Sequence, residues 1–165
     1  MEYENIKELK QAGFEGFVPV KDLLAGKMDV IPAQPGVYMV VTPDNFDHSF
    51  LQVGTGGHFK GKDPNVLQSV LESSWVPDTC VLYIGKAGGG TSSATLRKRI
   101  DQYLRFGTGE PVGHWGGRFI WQLKYAESLL FCWKSTDRAR ENEAALISDF
   151  KVRHSGRRPF ANLKD

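Results

Sequence analysis

One stretch limits what this chain can fold into more than any other: a strand, a glycine-rich turn and a helix that follow one another over residues 81–106. Apolar residues at 81–84 are typical of a β-strand, and Gly85 and Lys86 end the run. Glycines at 88–90 and hydroxyl side chains at 91–93 then lead into an amphipathic helix at 96–106. A strand end, a flexible turn and a hydroxyl-rich helix start together form a place where an anion can bind.

The chain has 165 residues, which fits one domain with its own core and one or two insertions. Its apolar runs are too short to cross a bilayer, and its acidic, polar start is unlike a signal peptide. Cys80 and Cys132 each lie in or beside an apolar run and are expected to be buried, reduced thiols, with a disulfide between neighbouring strands as the alternative. We therefore expect a cytoplasmic protein with no membrane contact.

The net charge of +2 conceals an asymmetry along the chain. Residues 1–96 carry seven lysines against eleven acidic residues, whereas residues 97–165 carry fourteen basic residues, including all nine arginines, against eight acidic ones. A basic half beside an acidic half indicates a surface that faces a polyanion. Scattered, solvated charge is the alternative, and composition alone does not separate the two.

Periodicity predicts an α+β fold with helices packed on a small, mostly antiparallel sheet of three strands. The strands are expected at 36–41, 81–84 and 129–133, and the main helices at 96–106 and, capped by Asp137, at 138–153. The first strand is apolar throughout and should be central. Residues 1–34 form an extension packed on the domain at 35–165, with two short helices near 6–14 and 20–24. The connection at 43–79 is a long insertion between the first two strands, with a short helix near 65–73.

The helix at 138–153 carries a carboxylate where an apolar side chain is expected. With 3.6 residues per turn, Glu143 shares a face with Ala139, Ile147 and Phe150, while Glu141 points the opposite way. A carboxylate facing a core is costly unless a cation or hydrogen bonds compensate it. Glu143 is therefore either one half of an ion pair with an arginine or a metal ligand, and periodicity slightly favours the ion pair.

Other candidate groups are ambiguous when taken alone. Arg99 and Tyr103 lie four residues apart on one border of the helix at 96–106, where an ordinary surface arginine and a core aromatic would also fit. Tyr38 and Tyr83 could likewise be strand aromatics that only pack. The glycine run at 88–90 has neither P-loop nor GxGxxG spacing, and the sequence contains no Cys/His metal pattern and no GxSxG nucleophile motif.

Two tripeptides resemble a known family. Gly36-Val37-Tyr38 and Tyr83-Ile84-Gly85 resemble the paired motifs of the GIY-YIG nuclease superfamily, nearest in pattern to the N-terminal nuclease domain of UvrC-type excision repair proteins. The superfamily also contains homing endonucleases and restriction enzymes.

Three further elements match in order. Lys86 and Ala87 after the second tripeptide, followed by Arg99 in the next helix, resemble the family's YIG-K-A and its catalytic arginine. Tyr103, four residues after Arg99, matches a tyrosine of the UvrC-type domains, and Glu143 matches the family's single metal-binding glutamate. Residues 158–162 resemble the terminal proline-to-asparagine segment. The insertion at 43–79, the longer turn at 88–94 and residues 107–128, which contain His114, Arg118 and Trp121, depart from the pattern.

The resemblance implies metal-dependent hydrolysis of a nucleic-acid phosphodiester. Glu143 would hold one Mg²⁺ or Mn²⁺, and a single protein carboxylate suits Mg²⁺, which keeps most of its water. Tyr83 would activate the attacking water beside Tyr38, although the sequence leaves open which tyrosine is the base, and Lys86 would help hold a tyrosine in its reactive form. Arg99 would stabilise charge on the phosphate. The implied catalytic residues are Tyr38, Tyr83, Lys86, Arg99, Tyr103, which orients phosphate or water, and Asn162, which braces the site.

The expected partner is DNA, with RNA as the alternative, in a repair or restriction role. The candidate nucleic-acid contacts are Arg97, His114, Arg118, Arg157 and Arg158. A protein partner for targeting stays open because one small domain has little surface for selecting a long site. The main rival hypothesis is a catalytically inactive nucleic-acid-binding module of the same fold. A small enzyme that binds phosphate ligands at the glycine-rich turn ranks below it.

Overall fold

The computed structural model describes residues 1–164, which form an α+β fold around one antiparallel sheet. The elements in chain order are helix α1 (Ile6–Gln11), strand β1 (Glu15–Pro19), helix α2 (Val20–Leu24), strand β2 (Gly36–Val41), helix α3 (Gln68–Ser74), strand β3 (Val81–Ala87), helix α4 (Leu96–Gly107), strand β4 (Leu130–Ser135) and helix α5 (Ala139–Arg153). Short 3₁₀ helices occupy Lys27–Val30, Phe59–Gly61, Trp115–Gln122 and Ala126–Ser128. Within this part of the chain, no helix is both long and apolar enough to span a bilayer.

The sheet has four strands in the order β1-β4-β2-β3, so the prediction of three strands was wrong. The additional strand is β1, an edge strand that lies inside the segment expected only to pack on the domain. A register shift between Gly16 and Val18, with Phe17 at a φ of 57°, interrupts its pairing with β4. Because a bulged, half-exposed edge strand has no clean alternation of apolar residues, periodicity gives no signal for it.

Strand β2 is the centre of the fold, as its apolar sequence predicts. All six of its residues are buried, and it lies between β3 and β4. Val37, Met39 and Val41 face a core shared with α5, while Tyr38 and Val40 face a core shared with α4. Full burial of an apolar side chain of this size is worth about 1.5–3 kcal/mol. The strand that carries Tyr38 is therefore a rigid support.

The helices α4 and α5 contribute side chains to the two separate cores. The predicted stripe of α4 is buried, from Leu96 through Ile100 to Leu104, and the side chain of Thr95 caps its first turn by accepting a hydrogen bond from the Lys98 amide. The predicted cap of α5 was wrong. Asp137 makes no cap, and the hydroxyl oxygen of Thr136 instead accepts hydrogen bonds from the first turn.

The long connection between β2 and β3 is anchored by one buried amide. Gln122 is 2% exposed; its Oε1 accepts a hydrogen bond from the Val66 amide, and its Nε2 donates to the carbonyls of Leu51 and Val66. The helix predicted at 65–73 is present as α3, beginning at Gln68. Gln122 ends the 3₁₀ helix Trp115–Gln122. The connection and this helix are thereby held together beside the sheet.

Candidate active site

The two motif tyrosines come together because β2 and β3 are paired. Tyr38 lies opposite Gly85 and Val40 lies opposite Tyr83, so the tyrosine rings pack with centroids 6.0 Å apart. A Cβ atom added at Gly85 would lie 2.7 Å from Cζ of Tyr38 and 2.7 Å from Cε1 of Tyr83. Only glycine fits between the two rings. This close approach gives a physical reason for the glycine of the second tripeptide.

The two tyrosines differ in access. Tyr38 is fully buried, and burial raises the pKa of its hydroxyl well above the ordinary value. Tyr83 is half-buried, and its side chain lines two adjoining surface hollows, which are described below. Burial also raises the pKa of Tyr83, while the guanidinium of Arg99 opposes that rise. Of this pair, Tyr83 is the better placed to reach a bound water.

Tyr103 occupies a different position from the one expected for a group that orients phosphate. Its ring packs 5.3 Å from that of Tyr83, but it is fully buried and its hydroxyl donates a hydrogen bond of 2.8 Å to the carbonyl of Gly117. Burial raises its pKa well above the ordinary value. The expectation is therefore corrected: Tyr103 supports the site from beneath, and its hydroxyl is already engaged by the backbone.

His114 was expected to touch nucleic acid and instead lies beneath the tyrosines, 1% exposed. Its Nε2 and the hydroxyl of Tyr38 share a hydrogen bond of 2.9 Å whose direction depends on the imidazole tautomer, and its ring packs 3.7 Å from that of Tyr103. Burial first, and the charge of Arg99 second, hold the pKa of His114 well below its ordinary value. It is a neutral positioning group for Tyr38, which no sequence motif indicated.

Lys86 and Glu143 form the charged centre of the site. Nζ of Lys86 lies 2.5 Å from Oε2 of Glu143, joining β3 to α5. The partner of Glu143 is thus a lysine, whereas the sequence indicated an arginine or a metal. Because the Glu143 side chain remains 19% exposed, the carboxylate still faces solvent at the wall of the site.

Arg99 is fixed by two hydrogen bonds. Its Nη1 donates to Oε1 of Gln102 at 2.6 Å and to the carbonyl of Gly113 at 3.1 Å. Gln102 was not a candidate in the sequence, although its spacing of three residues from Arg99 on a helix could have pointed to it. A guanidinium held through one nitrogen keeps its remaining donors for an anion.

Asn162 lies against the exposed edge of the sheet. Its Oδ1 accepts a hydrogen bond from the Ile84 amide and its Nδ2 donates to the Ile84 carbonyl, both at 2.9 Å. The Ala161 amide donates to the Leu82 carbonyl beside it. The side chain thereby makes the hydrogen bonds that a neighbouring strand would make, and it fixes the backbone of β3 next to Tyr83, as expected for a residue that braces the site.

These groups surround a group of adjoining hollows. The first, here called the tyrosine cleft, has a volume of about 520 Å³ and is lined by Tyr83, Arg99, Arg140 and Glu143. The second, here called the aromatic cavity, has a volume of about 350 Å³; it shares all of these residues except Arg140 and is also lined by Phe59 and Trp115. A third hollow of about 420 Å³ lies on the other side of Glu143. Among residues 1–164, six basic side chains line the three hollows against one carboxylate. The basic residues are Lys86, Lys98, Arg99, Arg140, Lys151 and Lys164.

Two of the expected nucleic-acid contacts are occupied elsewhere. The guanidinium of Arg97 donates to the carbonyls of Asp29 and Ile31, and that of Arg157 donates to the carbonyls of Ser73 and Trp75. Each arginine ties two parts of the chain together. Of the remaining candidates, Arg118 lies 4.6 Å from the ring centroid of Trp115, and Arg158 is exposed.

The donor set limits how a metal could bind. No cluster of three or more His, Cys, Asp or Glu side chains suitable for a metal occurs in residues 1–164. Glu143 supplies one carboxylate, and within the same residues only Lys86 bonds to it, through Oε2. Oε1 therefore fits a hydrated divalent cation that is held by one protein ligand and keeps its other positions for water and substrate.

A cavity of about 540 Å³ lies at the opposite end of β2 and β3, next to Thr42 and Cys80. Its charged lining residues are all acidic and would repel a phosphate. They are Glu4, Asp44 and Asp78. The charge of the lining, more than its size, distinguishes this cavity from the tyrosine cleft.

Comparison with family models, with curated protein sequences and with solved structures found no match to this chain. The similarity to GIY-YIG nucleases therefore stays a prediction from the motifs, and the assignment of a function depends on the geometry of the tyrosine cleft.

Proposed function

We propose that this protein is a metal-dependent endonuclease that hydrolyses nucleic-acid phosphodiester bonds in the tyrosine cleft, with DNA as the preferred substrate. The observation that carries the proposal is the composition of the cleft. Among residues 1–164, the basic side chains of the cleft surround a single carboxylate, and Tyr83 and Arg99 lie in the same lining. Such a site attracts a phosphate and offers a hydroxyl group and a guanidinium at the reacting atoms.

In this mechanism Tyr83 binds the attacking water, because it is the motif tyrosine that lines both hollows. Tyr38 and His114 hold it from behind through packing and their shared hydrogen bond. The water attacks phosphorus and releases one proton to solvent, the bond from phosphorus to the leaving oxygen breaks, and the leaving oxygen takes up a proton from solvent, so that one water is consumed for each bond cut. A tyrosine with a raised pKa acts here by orienting the water and accepting its hydrogen bond.

Arg99 stabilises the negative charge that builds on the phosphate oxygens. Its position is preorganised by Gln102 and the Gly113 carbonyl, so little reorganisation is needed as the charge develops. Lys86 lines the tyrosine cleft beside Glu143 and adds a second positive charge at the phosphate.

Glu143 would hold Mg²⁺ or Mn²⁺ through its free oxygen, and the cation, when bound, would act as a Lewis acid beside the phosphate. The remaining surface would bind the nucleic-acid backbone through Lys98, Arg118, Arg140 and Arg158. On this proposal residues 43–79 are an insertion into a GIY-YIG-like domain, and the pattern is nearest to UvrC-type nucleases.

The proposal is tested by incubating the protein with supercoiled and branched DNA in Mn²⁺ or in chelator. Glu143→Ala should abolish cutting while the variant stays folded, whereas Glu141→Ala, an exposed site on the same helix, should cut like the wild type. A Glu143→Ala variant that cuts at the wild-type rate would refute the assignment of the metal ligand.

The Lys86–Glu143 ion pair also favours a second candidate, a nucleic-acid-binding module without activity. An ammonium at 2.5 Å neutralises the carboxylate that a cation needs. This candidate predicts salt-sensitive binding that survives Glu143→Ala, and no cutting with either metal. Metal-dependent cutting by the wild type rules it out.

A further inference from the structure

The aromatic cavity has features that the hydrolysis of a phosphodiester does not require. Two of its walls are rings, Phe59 from the connection between β2 and β3, and Trp115 from the start of the 3₁₀ helix Trp115–Gln122. Both are half-buried. They belong to the two segments of the chain that the motif pattern leaves unexplained. These segments meet beside Tyr83 and Arg99, directly next to the tyrosine cleft.

The rings are held in place by their surroundings. Phe59 is partly buried and packs against the hydrophobic core that contains Phe106. Trp115 packs against Phe106 with ring centroids 6.5 Å apart and carries the guanidinium of Arg118 over its ring at 4.6 Å. Among the described residues, Phe59 and Trp115 form no ring pair with each other, so the space between the walls is open to a ligand.

The charged groups around the aromatic cavity are mostly basic and suit a ligand that carries a phosphate. Nζ of Lys60 lies 5.3 Å from the ring centroid of Phe59, Lys164 forms part of the wall, and Glu143 is the only acidic lining residue in the described part of the chain. Aromatic faces interleaved with cations bind single-stranded nucleic acid, in which bases stack on the rings and phosphates meet the cations. A volume of about 350 Å³ admits one small planar group.

We propose that the aromatic cavity binds one unpaired nucleobase adjoining the scissile phosphate, so that the protein selects single-stranded or locally unpaired nucleic acid. This proposal rests on the proposed endonuclease function, because that function places the scissile phosphate in the tyrosine cleft. A base inside a duplex has both faces covered by its neighbours and would have to leave the stack to enter. A bulged, gapped or single-stranded nucleotide enters without that cost.

Binding can be measured without cutting. A DNA duplex with one bulged 2-aminopurine, in chelator, should lose fluorescence as the base stacks in the cavity, and the matched fully paired duplex should bind at least about tenfold more weakly. Trp115→Ala should weaken binding of the bulged duplex by about tenfold, and Trp115→Phe should restore most of it. Tyr125→Ala, an exposed aromatic outside the cavity, is the control.

A second variant fills the cavity and leaves its rings in place. Gly116 lines the cavity, its φ is not positive, and a Cβ atom added there meets no heavy atom within 4 Å. Gly116→Leu should therefore fold normally and exclude the base, which thermal unfolding and the fluorescence titration would show together.

The outcomes separate the two proposals. Equal affinity for bulged and paired duplexes, or quenching that persists in both Trp115→Ala and Gly116→Leu, overturns the base subsite even if the protein cuts DNA. Selective quenching that these variants abolish supports the subsite, and absence of metal-dependent cutting in that case would overturn only the endonuclease function.

Discussion

The ammonium nitrogen of Lys86 lies 2.5 Å from Oε2 of Glu143, and this contact joins the edge strand of the sheet to helix α5 across the candidate site. The two side chains are 39% and 19% exposed, so solvent and ligands reach the pair. A divalent cation would therefore share the carboxylate with Lys86. Because the cation and the Lys86 ammonium repel each other, the affinity for the metal depends on how strongly Lys86 competes for the carboxylate.

Glu143→Gln should abolish binding of Mn²⁺, while Lys86→Met should tighten it by no more than about fivefold, since ion pairs at this level of exposure are worth at most about 1 kcal/mol. Electron paramagnetic resonance of free Mn²⁺ measures both effects without a cleavage assay. Glu141→Gln on the same helix is the matched control. Unchanged Mn²⁺ affinity in Glu143→Gln would show that the cation, if bound, has another ligand.

Arg99→Lys should lower the single-turnover cleavage rate by about 10²–10³-fold, because a flexible ammonium does not reproduce the guanidinium fixed by Gln102 and Gly113. Gln102→Ala should cause a smaller loss of rate by releasing Arg99. Arg97→Lys, two positions earlier, should leave the rate unchanged and weaken only the tie to residues 29–31. Equal losses for Arg97→Lys and Arg99→Lys would indicate a general loss of helix stability.

The depressed pKa of His114 makes stability depend on pH in one direction. Because the folded state holds His114 neutral while the unfolded chain protonates it near pH 6.5, the unfolded state binds more protons below that pH. The free energy of unfolding should therefore be fully retained above about pH 6.5 and fall on acidification, by at most about 1.4 kcal/mol per pH unit from this group.

His114→Gln removes this titration and should flatten the dependence between about pH 6.5 and pH 5. Chemical unfolding at a series of pH values, compared between wild type and variant, measures the difference. A variant with the same acid sensitivity as the wild type would mean that other groups govern it. His58→Gln, at an exposed position, is the control.

Asn162→Asp should destabilise the fold by about 1–3 kcal/mol, since a carboxylate can accept from the Ile84 amide but cannot donate to its carbonyl. Urea unfolding gives this difference directly. Asn142→Asp, whose side chain donates only to the Thr136 hydroxyl, should have a smaller effect. If Asn162→Asp lowered cleavage with no loss of stability, Asn162 would act on the substrate and not on the strand.

Several features were predictable because they leave a local signature. The apolar run at 36–41 predicted a central strand, the stripe of α4 predicted which residues are buried, and helical spacing placed Glu143 on the inner face of α5. Burial on one side of a helix or on both sides of a strand leaves a period in the sequence. The edge strand β1, with its bulge and partial exposure, leaves none.

The amino-acid sequence by itself determined the central strand, the main helices and the members of the candidate site that share a motif. Only the tertiary structure decided their partners: Lys86 for Glu143 across 57 positions, His114 for Tyr38 across 76, and Phe59 beside Trp115 at the aromatic cavity. Periodicity records whether a residue is buried, but contacts between distant residues depend on strand register and on the path of the connections, which no local pattern specifies.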